Sequence, residues 1–469
     1  LVLPPLLYAA AFFSSLRDLR DNLRPIGLLS IGLVITTTVA IAMVAHAVVD
    51  GMSWEAAFVL GAVVSPTDAV AATAIASRVG APRRFATIVE GESLVNDATA
   101  LIAYKFAVAA TVSGSFSLAE AGWRFVLNAV AGIAIGLAVG WIVAQVRRVI
   151  DDPPTEITIS LLTAYFAYLP AEALGVSAVL AAVSTGIYLG WNSPRLITPA
   201  TRIQAFAVWG IVQFVLNAAL FVLVGLQLPS VIDGISALPT RSIVWYAVAV
   251  AGAVILVRFL WVYPATYLPR LLSARLRERD PYPPWQQPAI IAWTGMRGSV
   301  SLAAALAIPE TIHSGAAFPQ RDLIIFLTYA VILATLVLQG TTLPAVIKLL
   351  GIEPDETLAQ RESKARLLAA RAAIDRIDEL VAEEWVREDT AERVRRGYQF
   401  RIDRFSARFD DQDDGAIDER SRNYQRLVRE LLEAQRAEII RLRNQGRIND
   451  EIMHRIERDL DLEDTRLEV

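Results

Sequence analysis

Apolar residues gather along this chain into eleven segments, at approximately 1–16, 25–49, 55–77, 85–111, 121–146, 156–170, 173–190, 203–227, 242–268, 288–308 and 322–348. A bilayer-spanning helix needs about 20 mostly apolar residues, so most of these predict one span each. The first is short, and the sixth and seventh are short and meet at Pro170. Beyond Leu350 the pattern changes to single apolar residues at helical spacing. Leu367, Ala370, Ile374, Ile377 and Val381 form one stripe, Tyr424, Leu427, Leu431, Gln435 and Ile439 a second, and Ile452, Ile456 and Leu460 a third. The run DDQDDG at 410–415 predicts a loop between them. The pattern predicts an all-α membrane protein, with a transmembrane domain over 1–350 and a small helical, charged domain over 351–469.

Charge sharpens that division. Up to Leu350 there are 21 Lys+Arg against 18 Asp+Glu; from Gly351 onward there are 23 against 30 in a much shorter stretch. Overall, 54% of residues are hydrophobic and the mean hydropathy is +0.44. Cysteine is absent, which excludes disulfides and thiolate chemistry. The chain opens on Leu1 in apolar sequence, and the expectation is that some membrane helices precede it.

Basic residues in short loops set orientation. One alternate set of loops holds Arg17, Arg20 and Arg24; Arg78, Arg83 and Arg84; Arg147 and Arg148; Arg195 and Arg202; and Arg270, Arg275, Arg277 and Arg279, fourteen in all. The other set holds only Arg241 and Arg321. The basic loops are therefore expected on the cytoplasmic side of the cell membrane, together with the tail.

A charge at the bilayer centre costs roughly 2.5–3.5 kcal/mol on insertion scales, so those that remain need a purpose. Asp68, Glu92, Asp97, Lys105, Arg258 and Arg297 lie well inside segments, with Glu90 and Glu172 nearer the ends. Asp97 is twelve residues past Phe85, about 18 Å along a helix and so near the middle of a core about 30 Å thick. In VVSPTDAVAATAI, Pro66 removes a backbone N–H and should open the third segment around Ser65, Thr67 and Asp68. In WTGMRGSVSLAAALAIP, Gly295 and Gly298 flank Arg297 and should loosen the tenth. Open backbone at membrane depth is tolerated only where it is buried in protein or lines a cavity. Loop charges make these two segments run oppositely, which predicts an inverted-repeat transporter with two crossing broken helices and its site at the crossing.

On α-helical spacing Ser93 lies one turn before Asp97 on the same face. A carboxylate, a hydroxyl and unwound carbonyls make an all-oxygen site suited to Na⁺, Li⁺ or K⁺ and unsuited to soft metals. A carboxylate at this depth must be neutralised by a proton or by a cation, hardly by both. That competition is enough to exchange one monovalent cation for one proton. Glu92 points to another face and needs a cation, for which Arg297 in the opposing break is the candidate. Asn96 cannot titrate; it can hydrogen-bond to the opened helix, it leaves the site one carboxylate short of an Asp pair, and it is counted with Asp97, Ser93, Thr67 and Asp68 among the expected ion-site residues.

SPTDAVA at 65–71, GESLVNDATA at 91–100 and GMRGSVSLA at 295–303 resemble the three signature regions of the sodium/proton antiporters, in the branch of the NhaP proteins and the animal NHE exchangers. The resemblance runs from Leu1 to about Leu350, and the twelve or thirteen spans usual in the family imply that about two N-terminal spans precede these eleven segments. It implies a homodimer with elevator-type alternating access and the Asn96–Asp97 pair of the branch regarded as electroneutral. It implies Asp97, Ser93 and the Thr67 carbonyl as ligands of the monovalent cation, Asp68 close by, and a buried Glu92–Arg297 salt bridge.

Several residues stay open. Lys105 can tune Asp97, pair within the core or snorkel outward; Arg258 has Glu172 as a conceivable partner; and Glu90 sits toward the cytoplasmic mouth. Gly132, Gly136 and Gly140 recur every four residues, a close-packing face. The tail holds no nucleotide-binding fingerprint or catalytic triad, so neither an enzyme nor a nucleic-acid-binding protein is expected, and no cofactor. A channel would use the same oxygens, but a single titratable site between opposed breaks fits alternating access better. K⁺/H⁺ exchange remains the alternative to Na⁺/H⁺ exchange, because the site residues do not fix ion size.

Overall fold

A computed structural model describes residues 2–79, 82–113, 118–236, 238–352, 356–383, 386–407 and 416–467. The chain divides into two compact units, Leu1–Pro354 and Asp355–Val469. Among the described residues both units are helical, with no strand longer than an isolated bridge.

The first unit begins with α1 (Leu3–Phe13) and α2 (Leu16–Asp21), then α3 (Leu23–Gly27), which runs through a π-helical turn (Leu28–Leu33) into α4 (Val34–Val48). The third apolar segment is two helices, α5 (Trp54–Val64) and α6 (Ala69–Val79). Long helices follow: α7 (Arg83–Ser113), α8 (Leu118–Arg147), α9 (Pro153–Ala173), α10 (Ala178–Leu196), α11 (Pro199–Gly234) and α12 (Thr240–Leu272), with α13 (Ala274–Arg279) after them. The tenth segment is again two helices, α14 (Gln286–Trp293) and α15 (Ser299–Leu306). The last is α16 (Arg321–Ala334), a second π-helical turn (Thr335–Gln339) and α17 (Gly340–Leu349). Each predicted segment thus has its helix or pair of helices.

Local chemistry sets the boundaries. Ser53 caps α5, Ser177 caps α10, and Thr198 caps α11 ahead of Pro199. Asp152 caps α9, accepting from the Thr155 N–H at 3.0 Å and its hydroxyl at 2.5 Å. Those two bonds hold the Asp152 carboxyl below the usual carboxylate range.

The helices pack around several buried apolar clusters. One core joins α4, α5, α12, α15 and α16 around Ile41, Leu60, Val254, Ile308, Ile324 and Leu327. Another joins α1, α8, α9, α10 and α11 around Tyr8, Ala164, Leu189 and Trp209. The α8–α10 contact explains the glycine repeat. A Cβ on Gly132 would lie 2.4 Å from the Ser177 carbonyl oxygen, and one on Gly136 2.3 Å from that of Ala181. Large apolar side chains such as Trp141, Phe214 and Leu226 stand exposed on α8 and α11, as lipid contact requires. Among the described residues six stretches are long and apolar enough to cross a membrane. The other segments are short, broken or, as in α7, carry polar side chains.

The second unit contains α18 (Glu356–Ala382), α19 (Glu388–Ala407), α20 (Ala416–Asn444) and α21 (Asp450–Leu467). Its α20–α21 core is Leu432, Ile439, Met453 and Leu460. The expected second stripe is corrected here: Tyr424, Leu427 and Leu431 stand exposed while Val428 and Leu432 turn inward. Apolar residues fall in adjacent pairs there, so two stripes one residue apart fit the periodicity, and packing against α21 selects one. The DDQDDG run lies outside the described residues.

Candidate functional site

The two breaks fall where proline and glycine placed them. Residues 65–68 between α5 and α6, and 295–298 ahead of α15, have no regular secondary structure. Opened backbone leaves donors and acceptors without intrahelical partners, and here the breaks supply one another. The Asp68 N–H donates to the Met296 carbonyl at 2.8 Å. Arg297 Nε donates to the Val64 carbonyl at 3.1 Å, and its Nη1 to the Gly295 carbonyl. The Arg297 N–H is taken by the Thr335 hydroxyl at 3.1 Å, from the second π-helical turn. Gly298 is required by the crossing itself, since a Cβ there would lie 1.9 Å from Asp68 Oδ2. Asp68 in turn caps α6, its Oδ1 accepting from the Val70 N–H at 2.8 Å.

Helix α7 passes the crossing and brings Glu92, Asn96 and Asp97 to it, all buried. Thr67 is the joint. Its hydroxyl donates to Glu92 Oε1 at 2.8 Å and accepts from Asn96 Nδ2 at 2.7 Å. Asn96 Nδ2 also donates to the Thr67 carbonyl at 3.1 Å, while Asn96 Oδ1 is buried with no hydrogen-bond partner among the described residues. Asp97 makes no hydrogen bond or ion pair with any described residue, although Asp68 is within electrostatic reach of it. Ser93 lies half-buried one turn before Asp97 on α7. The site therefore holds one buried carboxylate without a partner among the described residues, a second carboxylate close by, and a hydroxyl and an amide oxygen near at hand.

The expected Glu92–Arg297 pair is corrected. Glu92 pairs with Arg258 of α12, through Nη1 to Oε1 at 2.5 Å and Nη2 to Oε2 at 2.8 Å. Both side chains are essentially inaccessible. Arg258 Nε donates to the Ile291 carbonyl at 3.0 Å, so the same guanidinium ties α7 to α14. Arg297 is equally buried, but the backbone carbonyls of the breaks occupy it, and its Nη2 has no partner among the described residues. An arginine beside unwound carbonyls satisfies them first, which leaves the facing helix to neutralise the glutamate. The signal that could have found the pair is Arg258 itself, a lone cation in the apolar run VILVRFLWV.

The other open residues are also placed. Lys105 pairs with Glu172 of α9 at 3.3 Å, on an exposed face, so Glu172 is not the partner of Arg258. Glu90 is half-buried within electrostatic reach of Arg83. A further buried pair escaped sequence reasoning: Arg147 meets Glu156 at 3.3 Å, and Thr201 donates to the same carboxylate at 3.1 Å.

The sodium/hydrogen exchanger transmembrane family matches residues 1–349. This chain belongs to the sodium/hydrogen exchanger family. Its similarity to an uncharacterised Na⁺/H⁺ exchanger of Mycobacterium tuberculosis is 40% identity over 473 residues, covering 100% of this chain and 86% of that protein. The sodium, potassium, lithium and rubidium/H⁺ antiporter of Bacillus pumilus is 36% identical over 357 residues, covering 73% of this chain and 52% of that protein. The solved sodium proton antiporter MjNhaP1 from Methanocaldococcus jannaschii shares the fold, with a TM-score of 0.58 at 19% identity over 75% of this chain and 84% of that one. As a member of this exchanger family the protein is a multi-pass membrane protein of the cation/proton antiport class, with monovalent cations and protons as the family's substrates.

Proposed function

We propose that this exchanger moves Na⁺ or Li⁺ against H⁺, one for one and without net charge, by elevator-type alternating access. Asp97 binds either the cation or the proton. The observation that carries this is Asp97 itself, buried beside two cross-bonded helix breaks and without an internal partner among the described residues. Every other carboxylate at this depth has a stated job: Glu92 is neutralised by Arg258, and Asp68 caps α6. A charge left free at such cost is one reserved for a ligand.

The cation's ligands are proposed as the Asp97 carboxylate, the Ser93 hydroxyl and Thr67, with Asp68 close by. Asn96 is proposed to join them, as the sequence suggested: its Nδ2 already donates to the Thr67 carbonyl, and its Oδ1 has no hydrogen-bond partner among the described residues. Loaded with either a monovalent cation or a proton, Asp97 is neutral and can cross the barrier; empty and charged, it crosses poorly. Glu92 and Arg258 hold α7, α12 and α14 together and take no part in the exchange.

The protein is further proposed to work as a homodimer in the cell membrane, with the basic loops and the helical tail on the cytoplasmic side. K⁺/H⁺ exchange is the second reading, favoured by similarity to the Bacillus pumilus relative, a sodium, potassium, lithium and rubidium/H⁺ antiporter. Proton flux in vesicles carrying the full chain, titrated with Na⁺, Li⁺ and K⁺ at several pH values, decides the ion. The same assay on Asp97→Asn tests the site: cation-dependent proton movement should vanish, and its survival would sink the proposal.

A further inference from the structure

At the end of the bundle that carries the arginine-rich loops, a cavity of about 400 Å³ opens between α3, α7, α12, α14 and the chain at Leu350–Ile352. It lies apart from the exchange site, and its wall is divided. On one side are the guanidinium groups of Arg24, Arg84 and Arg270 with a single carboxylate, Asp280; on the other are apolar side chains including Leu29, Ile88, Val262 and Ile291.

Asp280 cannot balance three arginines. Its Oδ2 accepts from Arg270 Nη2 at 2.5 Å and its Oδ1 from Arg84 Nη2 at 3.2 Å, which engages both oxygens. Arg270 is buried and further fixed by the Asp280 and Thr266 carbonyls, and Arg84 Nε donates to Asn22 Oδ1 at 3.2 Å. Arg24 lines the same cavity within electrostatic reach of Arg270 and Asp280, and makes no hydrogen bond or ion pair with any described residue. Gln286, also in the wall, has a buried Oε1 without a partner among the described residues. Three cations against one anion leave the cavity doubly positive, with one guanidinium fork unspent. Such forks match phosphate oxygens, and the apolar half of the wall matches a hydrocarbon group attached to them.

We propose that this cavity is a binding site for a phosphate-bearing amphiphile, with Arg24, Arg84 and Arg270 holding the phosphate. Its walls are the ends of α7, α12 and α14, the helices that carry Asp97, Arg258 and the approach to the second break. Occupancy would fix these ends together and slow the exchange cycle. That consequence rests on the exchange proposal; the binding does not.

The test uses the full chain purified in a neutral detergent, with thermal unfolding as the readout. Inorganic phosphate and a short-chain phosphatidic acid are the probes, and a short-chain phosphatidylcholine is the neutral-headgroup control. The phosphatidic acid should raise the unfolding temperature in a saturable way, while the phosphatidylcholine should not. Arg24→Gln, which removes the fork without breaking a side-chain bond to any described residue, should weaken that response at least tenfold and leave unfolding without ligand unchanged. Stabilisation by inorganic phosphate at equal concentration would assign the site to free phosphate compounds, and stabilisation by the amphiphile alone would assign it to lipid. Equal responses in Arg24→Gln and the unaltered chain, or none in the unaltered chain, would overturn the site. Asp97→Asn should bind the amphiphile like the unaltered chain, which separates failure of this site from failure of the exchange reading. In vesicles, adding phosphatidic acid to phosphatidylcholine should slow flux through the unaltered chain and not through Arg24→Gln.

Discussion

Arg258 closes a two-bond fork onto Glu92, with distances of 2.5 and 2.8 Å, where both side chains are inaccessible to solvent. The pair joins the helix that carries Asp97 to the helix that leads into the second break. Breaking a buried pair from one side leaves an uncompensated charge, at a cost of about 3–5 kcal/mol. Arg258→Ala should therefore lower the unfolding temperature strongly in detergent. Arg258→Lys should recover only part of the loss, since an ammonium cannot reproduce the fork. The double variant Glu92→Gln with Arg258→Gln should be more stable than Arg258→Ala. Additive losses in a double-mutant cycle would refute the pair.

Thr67 sits between this fork and the exchange site. Its hydroxyl links Glu92 to Asn96 with bonds of 2.8 and 2.7 Å. Thr67→Val keeps the shape and removes both bonds, so cation affinity in the flux assay should fall about tenfold or more, with a smaller loss of stability. Thr67→Ser should restore most of it. Equal behaviour of the two variants would show that the hydroxyl is idle.

The crossing of the breaks leaves no room at Gly298, where a Cβ would stand 1.9 Å from Asp68 Oδ2 and 2.6 Å from its Cβ. Gly298→Ala should push Asp68 off the α6 cap and disturb the Asp68–Met296 backbone bond, so flux should fall severely while the protein remains folded. Gly210, with no atom near its missing Cβ, is the control: Gly210→Ala should leave transport unchanged.

Asp152 gives a pH-dependent prediction. Hydrogen bonds from Thr155 hold its carboxyl below the usual range in the folded protein. A group whose value is lowered by folding contributes stability above its unfolded value, about 3.9 for aspartate, and loses it as pH falls through the lowered value. Asp152→Ala should thus unfold at a lower temperature than the unaltered chain at pH 7. The gap should close in strongly acidic buffer, and a gap constant across that range would refute the contribution.

Much of this was legible in the residues. Apolar runs marked every long helix of the first unit, because a bilayer demands internally bonded backbone and apolar side chains; the short, charged α2 and α13 fell outside them. Pro66 and the pair Gly295 and Gly298 marked both breaks, because their effect on the backbone is local. Asp97 stood out because a carboxylate at that depth is costly wherever the helix lies. What periodicity and depth could not supply was partnership between helices. That Glu92 meets Arg258 and not Arg297, that Lys105 meets Glu172, and that Val428 and Leu432 of α20 turn inward depend on which helices pack side by side. Sequence fixes where a charge lies along its helix; only the packing of helices decides what it faces across the gap.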